Sequence, residues 1–327
     1  MATRKERLQS IAETIKDYRA GEIDEPSPDH VDRWVRQFDE GVQREILKEM
    51  DHVLKHTYIN KATVENFLNS LATNSKMTGE DPCSFWRGTN FLDIQGGGNS
   101  QREMLAKLYQ CLRTQCGFEL DNCRGATSRF IYIDDAIFTG NRILNDLRTW
   151  IQNTAPSNAE IHIVTMAFHR GGKYYAEKKI TEAAREAGKA INLTWWRSLE
   201  VEDKKINVNK SDVLRPRALG NHIAVKEYAE ALSFAPHLRT KDGVGEHEFF
   251  SSEHGRGVLE QEMLKAGANI RKMCPNLGPY QRPLGNMVLQ TLGFGSTLVT
   301  YRNCPNNTPL AFWVGDPWYP LFPRKIN

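Results

Sequence analysis

The sequence predicts an α/β protein: a parallel-sheet core, preceded by a small helical, winged-helix-like domain and followed by an extended strap. Three observations carry this. From about residue 85, apolar strands, glycine loops and helical patterns alternate, the order of a parallel sheet covered by helices. Before residue 80, apolar residues recur only at helical spacing. After residue 245 the alternation stops, and the chain ends in the aromatic, proline-rich PWYPLFPRK. A length of 327 residues suits one sizeable domain plus something smaller. The expected divisions are residues 1–80, 81–245 and 246–327.

In PSPDHVDRWVRQF, Ser27 caps a helix, Pro28 takes its first position, Asp29 faces its positive end, and Val31, Trp34, Val35 and Phe38 form one face. Val42, Ile46, Met50, Val53 and Leu54 mark a second helix, and Val64, Phe67, Leu68 and Leu71 a third. The polar stretch 72–82 is the expected linker. FLDI (91–94) then predicts a strand before Gly96, Gly97 and Gly98. Ser100 and Glu103 have capping-box spacing before a helix containing Met104, Leu105, Leu108 and Leu112. RFIYI (129–133), IHIVTMAF (161–168) and INLTWW (191–196) predict further strands, with helices from Ile143 to Ile151 and over 173–188 between them. Beyond residue 245 the pattern gives a loop and helix, the strand STLVTY, and a turn with another strand in NCPNNTPLAFW. The strap is expected to pack on the α/β core.

The six cysteines, Cys83, Cys111, Cys116, Cys123, Cys274 and Cys304, show no CxxC spacing and too low a density for a disulfide scaffold, so reduced thiols are expected. No stretch is apolar enough for a signal sequence or a membrane span, which predicts a cytoplasmic protein without a membrane partner. Net charge is +3, yet residues 1–80 hold 12 Lys and Arg against 15 Asp and Glu. That acidity opposes a nucleic-acid-binding arm, because phosphate neutralisation needs clustered cations. His52 and His56 lie four apart without HExxH and are expected to be structural. The cluster EHEFFSSEHGR reads as a polar loop, and Trp313, Trp318 and Tyr319 read as aromatic anchors of the chain end.

Two consecutive strands lead into loops suited to phosphate. Gly96, Gly97, Gly98, Asn99 and Ser100 let the backbone approach an anion at a helix start. In IDDAIFTGN, Asp134 and Asp135 stand side by side where the strand is expected to surface. That is a like-charge cost unless a ligand's hydroxyls or a cation uses them. On opposite sides of the strand end they suit the two cis hydroxyls of a ribose. Thr139, Gly140 and Asn141 then supply a hydroxyl and amides for a terminal phosphate.

This stretch resembles the phosphoribosyl-pyrophosphate (PRPP) signature of type I phosphoribosyltransferases, through Ile131, Tyr132, Ile133, Asp134, Asp135, Thr139 and Gly140. Over most of its length the chain also looks like the phosphoribosyltransferase-like effectors of bacterial conflict and antiphage systems, including its ending GFGSTLVTYRNCPNNTPLAFW. The resemblance implies a phosphoribosyltransferase-like core that binds PRPP or a related nucleotide with Mg2+, carried by the ligand and by Asp134 and Asp135. Those acids would be the catalytic pair. Ala136, Ile137, Phe138, Thr139, Gly140, Asn141 and Arg142 would form the 5′-phosphate loop, and Gly96 to Ser100 the pyrophosphate loop. Arg170, after the next strand, is an additional candidate. A protein partner from a defence system is implied as well. Phe138 and Arg142 depart from the usual Ser or Thr, and residues 113–128 leave little room for a mobile covering loop. Two rival readings follow: a non-catalytic PRPP or nucleotide sensor, and a DNA-binding regulator acting through the amino-terminal domain.

Overall fold

The computed structural model describes residues 2–117 and 127–324. In chain order the elements begin with α1 (Arg4–Thr14), α2 (Pro28–Val35), α3 (Glu40–Thr57), β1 (Tyr58–Ile59), α4 (Lys61–Ala72), α5 (Ser75–Thr78) and α6 (Pro82–Arg87). There follow β2 (Asn90–Phe91), α7 (Ser100–Cys116), β3 (Arg129–Ile137), α8 (Asn141–Asn153), β4 (Asn158–His169), α9 (Arg170–Glu186) and β5 (Ala190–Val201). The remainder is a 3-10 turn (Lys205–Lys210), α10 (Ile223–Glu230), α11 (Glu253–Met273), β6 (Gln281–Arg282), β7 (Gly285–Asn286), β8 (Val299–Thr300) and α12 (Leu310–Trp313).

These elements form two compact units: Met1–Lys61 with Glu202–Asn327, and Ala62–Val201. In the second, the sheet unit, four parallel strands run in the order β2-β3-β4-β5. Ile131, Tyr132 and Ile133 of β3 and Ile161, Ile163 and Val164 of β4 are fully buried, as continuous apolar runs in a doubly covered sheet should be. Each such isoleucine contributes about 1.5–3 kcal/mol. Ile143, Leu147 and Ile151 of α8 and Ala176 and Ile180 of α9 close over Tyr132, Ile161 and Ile163 in one cluster.

In the other, helical unit, Ile46, Met50 and Val53 of α3 share a core with Leu259, Met263 and Leu264 of α11. The cap of α2 forms as its residues predict, Ser27 accepting from His30 N with Pro28 at the first position. The final segment packs on the amino-terminal helices. Trp34 Nε1 donates to Ala311 O at 2.8 Å, and Tyr18 OH to Pro323 O at 3.0 Å. Trp318 Nε1 also reaches Ala311 O, at 3.0 Å. The aromatic residues of the ending are thus anchors: Tyr319 OH lies 2.7 Å from His30 Nδ1 of α2, and Phe322 packs edge-on against Tyr18 just past α1.

Several local expectations change. Contacts divide the chain at 61/62 and 201/202, where the sequence suggested 80/81 and 245/246, because α11 completes the core that α3 begins. Residues 72–82 carry α5, with Met77 and Thr78 buried, and Trp86 Nε1 donates to Ala72 O at 2.7 Å. That stretch is therefore part of the sheet unit's packing. β2 is only two residues long, and β8 shortens STLVTY to Val299–Thr300, paired in parallel with β1. PLAFW is the short helix α12, set by the fixed backbone of Pro309 before it. Cys83 and Cys116 form a disulfide, Cα atoms 5.5 Å apart, across a sequence separation of 33. Spatial reach decides such pairing, and sequence spacing does not reveal it. Cys111, Cys274 and Cys304 are free thiols, and Cys123 lies outside the described residues.

Candidate functional site

The paired acids sit inside β3 and not beyond it. β3 runs on through Ile137, with Asp134 opposite Thr165 and Ala136 opposite Ala167, because β4 keeps pairing to its own end. Ala136 and Ile137, expected in the phosphate loop, are consequently strand residues, and the loop proper starts at Phe138. Asp134 is the last of four consecutive buried residues, and Asp135 and Ala136 are half-buried where β3 nears its end. Asp134 Oδ1 accepts from Asp135 N at 2.9 Å, and Asp135 Oδ1 from Ala136 N at 2.7 Å. Burial, then the charge of Asp135, push the Asp134 carboxyl up to about 7; Ser100, the Asp135 amide and Arg142 pull the other way. A carboxyl so placed ionises readily only when something positive or hydrogen-bonding arrives.

Thr139 and Gly140 turn the chain from β3 into α8. Gly140 is the N-cap, in the left-handed region at φ 78°, and offers no side-chain acceptor to the helix start; Thr139 Oγ1 lies 3.4 Å from Asn141 N. An anion placed there would meet the amides at the start of α8 with the dipole behind them. Beneath the loop lies the first turn of α9. Phe138 stacks on the buried His169 at 4.8 Å, and His169 Nδ1 is 3.1 Å from Ile137 O. Phe138, standing where a hydroxyl residue was expected, is thus an anchor for the loop.

The glycine loop is held by side chains that sequence reasoning missed. Gln95 Oε1 accepts from Ser100 Oγ at 3.1 Å and from Gln101 N at 3.3 Å, while its Nε2 donates to Asp134 Oδ2 at 3.3 Å. Gln101 is fully buried; its Oε1 accepts from Ile94 N at 2.8 Å and Gln95 N at 3.0 Å, and its Nε2 has no acceptor among the described residues. The capping box expected of Ser100 and Glu103 does not form, since Asn99 is the N-cap and the Ser100 hydroxyl goes to Gln95. The guanidinium of Arg142 donates to Gly97 O, which ties the two loops together. Asp146, one turn further along α8, accepts from Tyr132 OH at 2.9 Å. Burial raises its pKa, opposed by Tyr132, the Gly96 amide and Arg142.

Gln95→Ala removes three hydrogen bonds at once, two within the glycine loop and the start of α7 and one from that loop to Asp134 on β3. A loss of about 1–2 kcal/mol in unfolding free energy is expected, read by denaturant titration with an unchanged slope. A change below about 0.5 kcal/mol would mean that Gln95 does not hold the glycine loop to β3.

Arg170 opens α9, and its guanidinium pairs with Glu200, which also binds Arg197 at 2.7 Å. His52 and His56 are a structural pair on α3, His56 Nδ1 at 2.8 Å from His52 O. EHEFFSSEHGR is more than a polar loop: Glu253 accepts from Arg239 at 3.2 Å, and the buried Arg256 donates to Glu260 at 2.8 Å. Among the described residues, no three His, Cys, Asp or Glu side chains are grouped to hold a metal, and no helix is long and apolar enough to cross a membrane.

The cluster thus offers two adjacent carboxyls, a helix start and a glycine loop facing the same place, a set suited to a sugar bearing phosphates at both ends. The sequence model of the PRTase-CE family matches residues 31–324. The chain belongs to the PRTase-CE family. In this PRTase-CE protein the match runs through both compact units, so the helical unit is as much a part of the family's pattern as the sheet. Comparisons with curated proteins and with solved structures gave no match.

Proposed function

We propose that the sheet unit binds PRPP, or a related ribose phosphate or nucleotide, and transfers or cleaves at ribose C1 as an effector of bacterial antiphage defence. The observation that supports this reading is the tying of the glycine loop to Asp134 by Gln95 and to the start of α8 by Arg142, which brings the acid pair, that helix start and the glycine loop together. Asp134 and Asp135 would grip the ribose hydroxyls. Thr139, Gly140, Asn141 and Arg142 would receive the 5′-phosphate, and Gly96 to Ser100 the pyrophosphate. The bond from C1 to pyrophosphate oxygen breaks as an acceptor's lone pair bonds to C1, and pyrophosphate departs with the bonding electrons. Mg2+ fits as a ligand-borne ion, because two carboxyls are available and a hard cation bound to phosphates needs only one or two; its charge would offset that of the leaving group.

Calorimetric titration of PRPP with Mg2+ into the full chain tests this, together with an assay for released pyrophosphate. Saturable binding with release is the expected result. Absence of binding to the wild type would overturn the reading. A second reading, a non-catalytic sensor, is favoured by the twelve residues between the end of α7 and the start of β3, few for a covering loop that excludes water. Saturable binding with no pyrophosphate release across bases, nucleotides and water would select it.

A further inference from the structure

The helical unit contains a cavity of about 40 Å3 that the phosphoribosyl reading leaves unused. Leu214, Leu284 and Leu292 make it apolar, while Lys205, Arg215 and His237 bring three basic groups to it from separate segments. No acidic side chain is among the described residues that line it.

Arg215 decides its chemistry. Its Nη1 donates to Leu214 O at 3.0 Å and Phe294 O at 2.7 Å, two carbonyls that orient a guanidinium without neutralising it. Its backbone N–H donates to Glu260 Oε1 at 2.9 Å. That carboxylate is shared, however, with Arg256 Nε and Arg239 Nη2, each at 2.8 Å. Arg239 and Arg256 therefore take up Glu253 and Glu260, two cations to two anions, and Asp203 is the further acid that acts on Arg215. Burial presses the pKa of Arg215 below its ordinary value, while Asp203 and Glu260 pull it back. The position is built into the fold: Gly295 sits at φ 79°, and a Cβ there would come within 2.5 Å of Leu214 O and 2.8 Å of Arg215 Nη1. A guanidinium held by carbonyls at the wall of a cavity that two further basic residues line, beside apolar side chains, favours the arrival of an anion.

We propose that this cavity binds a small organic anion, with a carboxylate or phosphate head met by Arg215, Lys205 and His237 and a compact apolar body against Leu214, Leu284 and Leu292. The volume suits a few water-sized groups, so the body is short and branched and not a long chain. Lys205 and His237 are exposed, which places them to meet the ligand from solvent, with the fixed guanidinium behind.

The test is calorimetry on the full chain with isovalerate, inorganic phosphate and the neutral isovaleramide. Isovalerate is expected to bind saturably with Kd of about 1 mM or tighter, and isovaleramide at least tenfold more weakly. Lys205→Ala and His237→Ala are each expected to weaken isovalerate at least fivefold, with thermal midpoints showing that both variants fold. Asp134→Asn/Asp135→Asn is expected to bind isovalerate as the wild type does, so failure of this proposal and failure of the phosphoribosyl reading are separable. No saturable binding of either anion, equal binding of the amide, or binding indifferent to both alanine variants would each overturn it. A response to a glutamate-rich peptide but not to either small anion would assign the basic surface to a protein partner and also overturn it.

Discussion

Asp134→Asn/Asp135→Asn is expected to lower PRPP affinity at least a hundredfold, while Asp134→Asn alone makes the unliganded chain more stable at pH 8. The first effect follows from losing two hydrogen bonds between ribose hydroxyls and carboxylates, each worth about 1.5–3 kcal/mol when one partner is charged. The second follows from linkage. The folded carboxyl of Asp134 titrates near 7 and the unfolded one near 3.8, so between those values the folded chain holds a proton that the unfolded chain releases. Stability therefore falls as pH rises through that window, and above 7 the whole penalty stands, bounded at about 4 kcal/mol. Asparagine removes the charge but sets its own amide against Gln95 Nε2, the donor that Asp134 Oδ2 accepts from. A net gain of about 1–3 kcal/mol at pH 8, vanishing below pH 4, is the expected difference between denaturant curves of variant and wild type. Binding should show the reverse dependence. If the ligand takes ionised Asp134, wild-type affinity rises by up to about tenfold per pH unit below 7 and levels off above. A stabilised variant that still binds PRPP at wild-type affinity would remove Asp134 and Asp135 from the site.

That opposition between stability and binding explains what the sequence could and could not reveal. Two adjacent aspartates in an apolar run were legible because nothing in folding rewards them, and the Thr-Gly turn behind them because a helix start after a strand has a recognisable chemistry. The sheet was legible for a related reason: continuous apolar runs such as Ile161 to Phe168 have few other places to go. Gln95, Gln101 and Asp146 were not, since their role lies in which backbone atoms they meet, and glutamine before a glycine run carries no spacing signal. The capping box at Ser100 failed on the same ground, because Gln95 competes for the hydroxyl that would have capped α7. The two units were hidden by chain order. Nothing in residues 40–57 announces that their apolar face is completed by residues 253–273, although each helix was legible by itself. The Cys83–Cys116 disulfide is likewise a contact between the start of one helix and the end of another, invisible to spacing rules.

Gly172→Ala should damage the site through its floor. Gly172 lies in the first turn of α9 at an ordinary helical position, and there an alanine would by itself favour the helix by about 1 kcal/mol. A Cβ at that point, however, would stand 1.8 Å from Phe138 O and 2.8 Å from Phe138 C, with Thr139 C at 3.0 Å. These are backbone atoms of the loop between β3 and α8 and have no rotamer through which to escape. Gly140, in the left-handed region, is closed in from the opposite side: a Cβ there would meet Gly172 O at 2.3 Å and Ala176 Cβ at 3.1 Å. The loop and helix therefore touch backbone to backbone, and one methyl group has to push Phe138 off His169 or shift α9. Such overpacking costs about 3 kcal/mol, which outweighs the helix gain and leaves a net loss of about 2 kcal/mol. Gly41→Ala is the control, because α3 has nothing within 4 Å of the added carbon and the variant should be as stable as the wild type or more so. Denaturant unfolding of the two variants checks the energies, and PRPP titration checks whether Gly172→Ala, where still folded, loses affinity with the displaced loop. Wild-type stability in Gly172→Ala would show that the loop does not rest on α9, and the geometry assigned to Thr139–Arg142 would fall with it.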